Sequence, residues 1–259
     1  MEEKNNDNEK QEIKNSNKKL SIGIGIFILA LLVILAVVIA MSVNTNKTHK
    51  CPEVKQGTNE RNNDIYDIDP FGTQFTDDKP IIYIYPNKES KVEVKLGKKE
   101  NITCSYPKYI DGWKVLAKPN GDLVDLDTNK KLYALYYEAL NDSINEMKDE
   151  GFIVKGEDSA SFLEEKLKVL GLTERESEEF IVYWLPKLEA NKYNYIYFAN
   201  MEEIEATMPL EVSPKPETLI RVMMIFKGLD KPINIKEQKL TEITRKGYTV
   251  VEWGGSQLK

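Results

Sequence analysis

The segment Glu252-Trp253-Gly254-Gly255 is the first place in this 259-residue chain where residue types suggest chemistry. A carboxylate beside an indole, at a strand end opened by two glycines, could sit in a cleft whose low polarity raises its pKa. Tryptophan also stacks on cations and on flat ring faces. The plainer reading is a core tryptophan followed by a turn. Glu157-Asp158 supplies a second pair of carboxylates, between a strand-like run at 152–154 and a helical one. A glycosidase needs two carboxyls facing one cleft, about 5–10 Å apart. Glu157 and Glu252 are the pair to test for that role, although Asp158 has a competing use as a helix N-cap.

Three further patterns carry weaker signals. Asp125-x-Asp127-x-Asn129 copies the first alternating ligands of a calcium loop, but Lys130 replaces the glycine of loop position six and Tyr136 the acid of position twelve. No metal is expected there. Tyr193, Tyr195 and Tyr197 fall on one face of a strand, since alternate side chains point the same way. Exposed, with Trp253, they would bind glycan or peptide; buried, they would be a sheet face. Cys51 and Cys104 are the two cysteines. They either form a disulfide or leave Cys104 as a small buried residue and Cys51 free. With one histidine in the chain, His49 next to an apolar segment, no His-dependent triad fits. No cofactor motif is present.

The 24 uncharged residues from Leu20 to Val43 would extend about 36 Å as a helix, enough to cross a hydrocarbon core of about 30 Å. The run is longer than a signal-peptide core, so it reads as an uncleaved signal-anchor. The short Lys-bearing segment before it favours a cytoplasmic N-terminus. The expected organisation is a cytoplasmic tail at 1–19, a transmembrane helix at 20–43, a polar stalk at 44–78 and an extracytoplasmic domain at 79–259. Lys and Arg number 36 against 42 Asp and Glu, a net charge of −6 that disfavours nucleic acid as a partner.

The candidate residues must be positioned by the elements of that last region. Residues 81–85 form a β-branched and aromatic run closed by Pro86. Val92, Val94 and Leu96 alternate with charged residues, the pattern of a strand with one wet face. Pro119-Asn120-Gly121-Asp122 signals a hairpin between strands at 113–117 and 123–126, and 132–137 is expected to continue that sheet. Phe162, Leu163, Leu167 and Leu170 follow helical spacing up to Gly171, with Asp158 or Ser161 as the cap. Thr173 and Glu176 form a capping box for a second helix carrying Phe180, Ile181, Trp184 and Leu188. Pro186 is expected to kink or restart it. Strands follow at 193–198, 209–212, 219–226 and 248–253. This order predicts an α+β fold, a mainly antiparallel sheet with two central helices, preceded by a single transmembrane helix.

The stretches KPIIYIYP at 79–86, GWKVLAKPNG at 112–121, GFIVKGED at 151–158, EEFIVYWLPKLEANKYNYIYFA at 178–199 and RKGYTVVEWGG at 245–255 carry a resemblance. They are similar to an uncharacterised bacterial family of membrane-anchored or secreted proteins. The resemblance implies one intact domain over 79–255 and transfers no activity or site residue.

Two functions fit the sequence. The first is a single-pass cell-membrane protein whose large domain is a non-catalytic binding or structural module, with a cell-wall glycan or a surface protein as partner. The alternative is a carboxylate-dependent hydrolase of extracellular glycan or peptide. In either case Glu252 and Trp253 lie on opposite faces of one strand, so a core Trp253 turns Glu252 towards solvent or a cleft.

Overall fold

The structure, a computed structural model, describes residues 75–141 and 143–259. The expected transmembrane segment, the stalk up to residue 74 and Cys51 lie outside the described residues. Among those described, no helix is long and apolar enough to cross a membrane.

The fold is α+β with mostly antiparallel sheets, as expected, and its described helices number three. An eight-stranded sheet forms the middle layer. In chain order its strands are β1 (Phe75–Tyr85), β3 (Ile102–Tyr106), β7 (Leu135–Asn141), β8 (Glu150–Lys155), β9 (Tyr193–Phe198), β11 (Thr218–Leu229), β12 (Lys236–Glu237) and β13 (Thr249–Gln257). Across the sheet they run β12-β8-β9-β11-β13-β1-β7-β3. The pairs β11–β13 and β12–β8 are parallel and the others antiparallel. A five-stranded sheet covers one face, with β2 (Ser90–Leu96), β4 (Trp113–Ala117), β5 (Leu123–Asp125), β6 (Lys131–Leu132) and β10 (Leu210–Ser213) in the order β10-β2-β4-β5-β6. Helices α1 (Ser159–Val169) and α2 (Glu174–Glu189) cover the other face. The short α3 (Met201–Thr207) follows β9.

Strand composition follows this layering. Central strands have both faces covered, so β11 and β13 are buried along most of their length, and Leu219 to Phe226 reads as an apolar run broken by Arg221. The outer sheet has one wet face, and β2 alternates buried Val92, Val94 and Leu96 with more exposed charged residues. Ile81, Tyr83, Ile220, Val222, Met224, Val251 and Trp253 face Leu163, Leu167, Phe180, Trp184 and Leu188 of the helices. Ile82, Ile84, Leu135, Tyr137 and Val250 face the outer sheet.

Local signals behave as expected at several points. The β4–β5 hairpin turns through Gly121 at φ 90°. Gly171, at φ 85°, follows α1, and the Thr173–Glu176 capping box opens α2 in full. Four expectations are corrected. Residues 132–137 do not continue one sheet: the chain leaves the outer sheet after β6 and enters the middle sheet at Leu135. Asp158 precedes α1, but its side chain makes no capping bond, because a 3-10 turn at Gly156–Asp158 leads into the helix. Helix α2 passes through Pro186 without restarting. The proline stands in the last turn, and Val182, whose carbonyl loses its donor, is on the exposed side. Finally, Gly254-Gly255 is not a turn: β13 continues through both to Gln257.

Candidate functional site

The structure places Glu252 and Trp253 on opposite faces of β13. Trp253 is fully buried against the helices, with its ring 5.3 Å from Phe180. Glu252 turns to the other face but finds neither solvent nor a cleft. Its side chain is 1% exposed and accepts the Arg221 Nε–H at 2.5 Å and the Tyr137 hydroxyl at 2.8 Å. The parallel register sets Arg221 of β11 directly beside Glu252, so the pair is built into the sheet. The remaining guanidinium N–H groups reach Glu205 at 2.6 Å and the Met208 carbonyl at 2.8 Å. Burial is the largest single influence and would lower the Arg221 pKa, but the Glu252 charge and hydrogen bond, with Tyr137 and Glu205, together outweigh it and hold the guanidinium above its usual range. This is an interior ion pair, not an acid waiting for a substrate.

Glu157 does not meet it. Glu157 stands in the exposed turn between β8 and α1, paired with Lys155 at 3.4 Å, in a shallow recess with Glu189 and Tyr193. β8 lies three strand positions from β13, about 14 Å across the sheet. The two carboxylates singled out for hydrolysis therefore share no cleft. The tyrosine stripe is real but inward. Tyr195 and Tyr197 are buried, and only Tyr193 is half-exposed. Tyr195 donates to the Glu150 carbonyl at 3.1 Å and Tyr197 to Glu203 at 2.7 Å. Asp125 bends back on its own turn, accepting from Asp127 N–H and the Thr128 hydroxyl, which explains the calcium-like spacing. Among the described residues no cluster of ligands could hold a metal. Cys104 is buried in β3 and disulfide-bonded; Cys51, the other cysteine of the chain, lies outside the described residues.

Sequence reasoning missed a different cluster, where three of the quoted stretches meet on the helix-covered face. In β1 the pairing registers shift between Asp78 and Ile81, and Lys79 within this bulge has φ 54°. A left-handed backbone is uncommon for a residue with a Cβ. Here it re-aims the side chain: the ammonium lies 4.6 Å from the Tyr183 ring centre and 5.7 Å from that of Trp253. Tyr83, two residues into the regular part of β1, donates its hydroxyl to Glu179 of α2 at 2.6 Å. Its ring centre is 6.4 Å from each of Tyr85, Tyr133 and Trp253. Tyr133 is 55% exposed and carries the cluster to the surface.

Electrostatics distinguish these groups. Burial lowers the Lys79 pKa, and the Glu179 charge opposes that without cancelling it. Burial, reinforced by the bond to Glu179, pushes the Tyr83 phenol far up. Glu179 is engaged a second time by Arg175 at 3.3 Å. Beyond it, Arg245 pairs with Glu176 and donates to the Gly171 carbonyl at 2.7 Å, fixing the start of α2. The missed signal was the position of Lys79 and Tyr83 beside a proline at the start of a strand, which read only as a boundary. No family model, curated protein or solved structure matches the chain.

Proposed function

We propose that the chain is a single-pass membrane-anchored surface protein whose extracytoplasmic domain is a non-catalytic binding module, with a cell-wall glycan as its partner. One observation carries the reading. At the Lys79 cluster the carboxylate is tied down twice, by Tyr83 and Arg175, whereas the half-buried Lys79 ammonium lies against the Tyr183 ring. Acid–base chemistry needs a carboxyl free to exchange a proton with substrate. Recognition uses a cation set among aromatic rings. In the same reading Cys104 bonds to Cys51 and fastens the stalk to the edge of the middle sheet.

The test has two parts. Protease added to intact protoplasts expressing the full chain is expected to remove the domain while sparing the anchor. Full chain purified in detergent is expected to co-sediment with isolated cell walls without releasing soluble sugar or peptide from them. Protection of the domain until the membrane is broken would reverse the orientation. Steady release of wall fragments would make the protein a hydrolase.

A further inference from the structure

The loops at one end of the outer sheet hold groups that the core does not use. Strand pairing sets the start of β4, the end of β5 and the start of β6 at this end. The β3–β4 loop is braced from inside: Trp113 Nε1–H donates to the Pro107 carbonyl at 2.8 Å, and the Tyr109 hydroxyl accepts the Leu96 N–H at 2.8 Å. In the β5–β6 turn Asn129 N–H donates to the Asp125 carbonyl at 2.8 Å. The two loops adjoin, since Leu126 N–H bonds the Lys114 carbonyl at 2.9 Å and the Lys130 ammonium lies 5.9 Å from the Tyr106 ring centre. Yet on this braced backbone Ile110 is 70%, Tyr106 53% and Leu126 39% exposed. Among the described residues seven large apolar side chains stay exposed, so three of them share one end of one sheet. The same loops expose Lys108, Lys114, Lys130 and Lys131 against Asp111 and Asp127, and Asp111 is bridged by Lys99 at 2.6 Å. In a chain of net charge −6 this end is basic.

A pocket needs side chains that converge on one ligand, whereas a flat surface needs only that the tips stand at one end. Exposed tyrosine and aliphatic tips ringed by lysines fit the interface of a bilayer with anionic headgroups, where rings lie at headgroup level and ammonium groups meet phosphate. Chain length argues for the same surface. Cys104 is disulfide-bonded, Cys51 is the other cysteine, and Cys104 stands two residues before Tyr106. Cys51 follows Val43, the end of the proposed span, by eight positions, so the bridge limits the covalent path to about 29 Å. Without it the path would run 32 positions to Phe75, about 110 Å. We propose that Tyr106, Ile110 and Leu126 dock in the headgroup layer of the membrane that carries the anchor, with Lys108 and Lys130 against anionic lipid phosphates. The proposal goes beyond the glycan reading and rests on the anchor and the Cys51–Cys104 bridge of the proposed function.

The experiment reconstitutes the full chain, with a tryptophan introduced at one exposed position, into vesicles of equal parts phosphatidylcholine and phosphatidylglycerol. Part of the lipid is brominated on its acyl chains to quench any indole that enters the interface. Ile110→Trp probes the loops and Val182→Trp the exposed side of α2, each read against wild type, whose three tryptophans are buried. The added emission at 110 should be quenched at least about twice as strongly as that at 182. Each lysine near an anionic surface is worth about fivefold in affinity, so Lys108→Glu with Lys130→Glu in the Ile110→Trp chain should bring quenching down to the level at 182. Vesicles of phosphatidylcholine alone should do the same. All four substituted positions are exposed, so the variants should melt as wild type does. Equal quenching at 110 and 182, or quenching at 110 that survives the lysine changes or the loss of phosphatidylglycerol, overturns the proposal. Loss of cell-wall co-sedimentation in the lysine variant, with no quenching at 110, would assign the loops to a wall polyanion and overturn it too. Carbonate washing of the vesicles separates the two levels. If the chain is retained but 110 is not quenched, the anchor stands and the docking falls; if the chain washes out, the anchor reading falls and the docking with it.

Discussion

Replacing Glu252 by glutamine removes one charge from a pair in which neither side chain reaches water, Arg221 being 0% and Glu252 1% exposed. The size of the effect follows from what Arg221 keeps. Deleting one partner of a buried ion pair costs about 3–5 kcal/mol, because the other charge is left uncompensated. Here the guanidinium retains Glu205 and the Met208 carbonyl, and the new amide oxygen can still accept one N–H. The cost should therefore fall at the low end, about 3 kcal/mol. For a domain of this size that lowers Tm by about 6–12 °C. Thermal unfolding of the full chain in detergent, followed by near-ultraviolet circular dichroism, measures it. A second variant, Glu252→Gln with Arg221→Met, removes the stranded charge. It should lose less than the two single losses added together, the sign of direct coupling. If Glu252→Gln melts within about 2 °C of wild type, the pair is not the buried interaction described and the argument fails.

Trp253→Ala should cost about 3–5 kcal/mol in urea unfolding, as a large aromatic truncation in a sealed core; a loss under about 1 kcal/mol would place the indole outside it. Gly255→Ala puts a Cβ 2.7 Å from both the Trp184 ring and the Met224 carbonyl, and should destabilise by about 1–3 kcal/mol unless α2 does not pack there. Burial pushes the Tyr248 phenol up to about 12, and its hydroxyl has no hydrogen-bond partner among the described residues. Its folded pKa thus exceeds the unfolded value of about 10, so its contribution is intact below about pH 10 and is lost as pH rises through 12. Tyr248→Phe should be neutral, or stabilising by up to about 1 kcal/mol, at pH 7 and should flatten the alkaline loss of stability. A clear destabilisation at pH 7 would show that the hydroxyl is bonded.

What was legible in the sequence was local. The Asn120-Gly121 turn, the Thr173–Glu176 box and the alternation of β2 depend on neighbours within a few residues, and each formed as read. The opposition of Glu252 and Trp253 was legible for the same reason, since it needs only the two-residue period of a strand. Their surroundings were not. Glu252 finds Arg221 because β11 and β13 pair in parallel, a register that neither strand encodes alone. A warning was nevertheless present: an arginine inside Leu219–Phe226 must either break the strand or find a buried anion. The split of 132–137 between two sheets was hidden because both sheets accept the same alternating pattern. Lys79 was hidden because its direction comes from a bulge and a φ of 54°, not from periodicity.

The order of strands in the middle sheet also constrains how the domain can be made. β13 lies between β1 and β11, so the first described strand is joined to its neighbours through the last. A chain synthesised from its N-terminus cannot close this sheet until residues 249–257 have emerged. Until then β1 and β11 each present an apolar edge ready to pair with the wrong partner. A nonsense change before Thr249 would leave both of those edges unpaired. Such a fragment would be prone to aggregation and open to proteolysis.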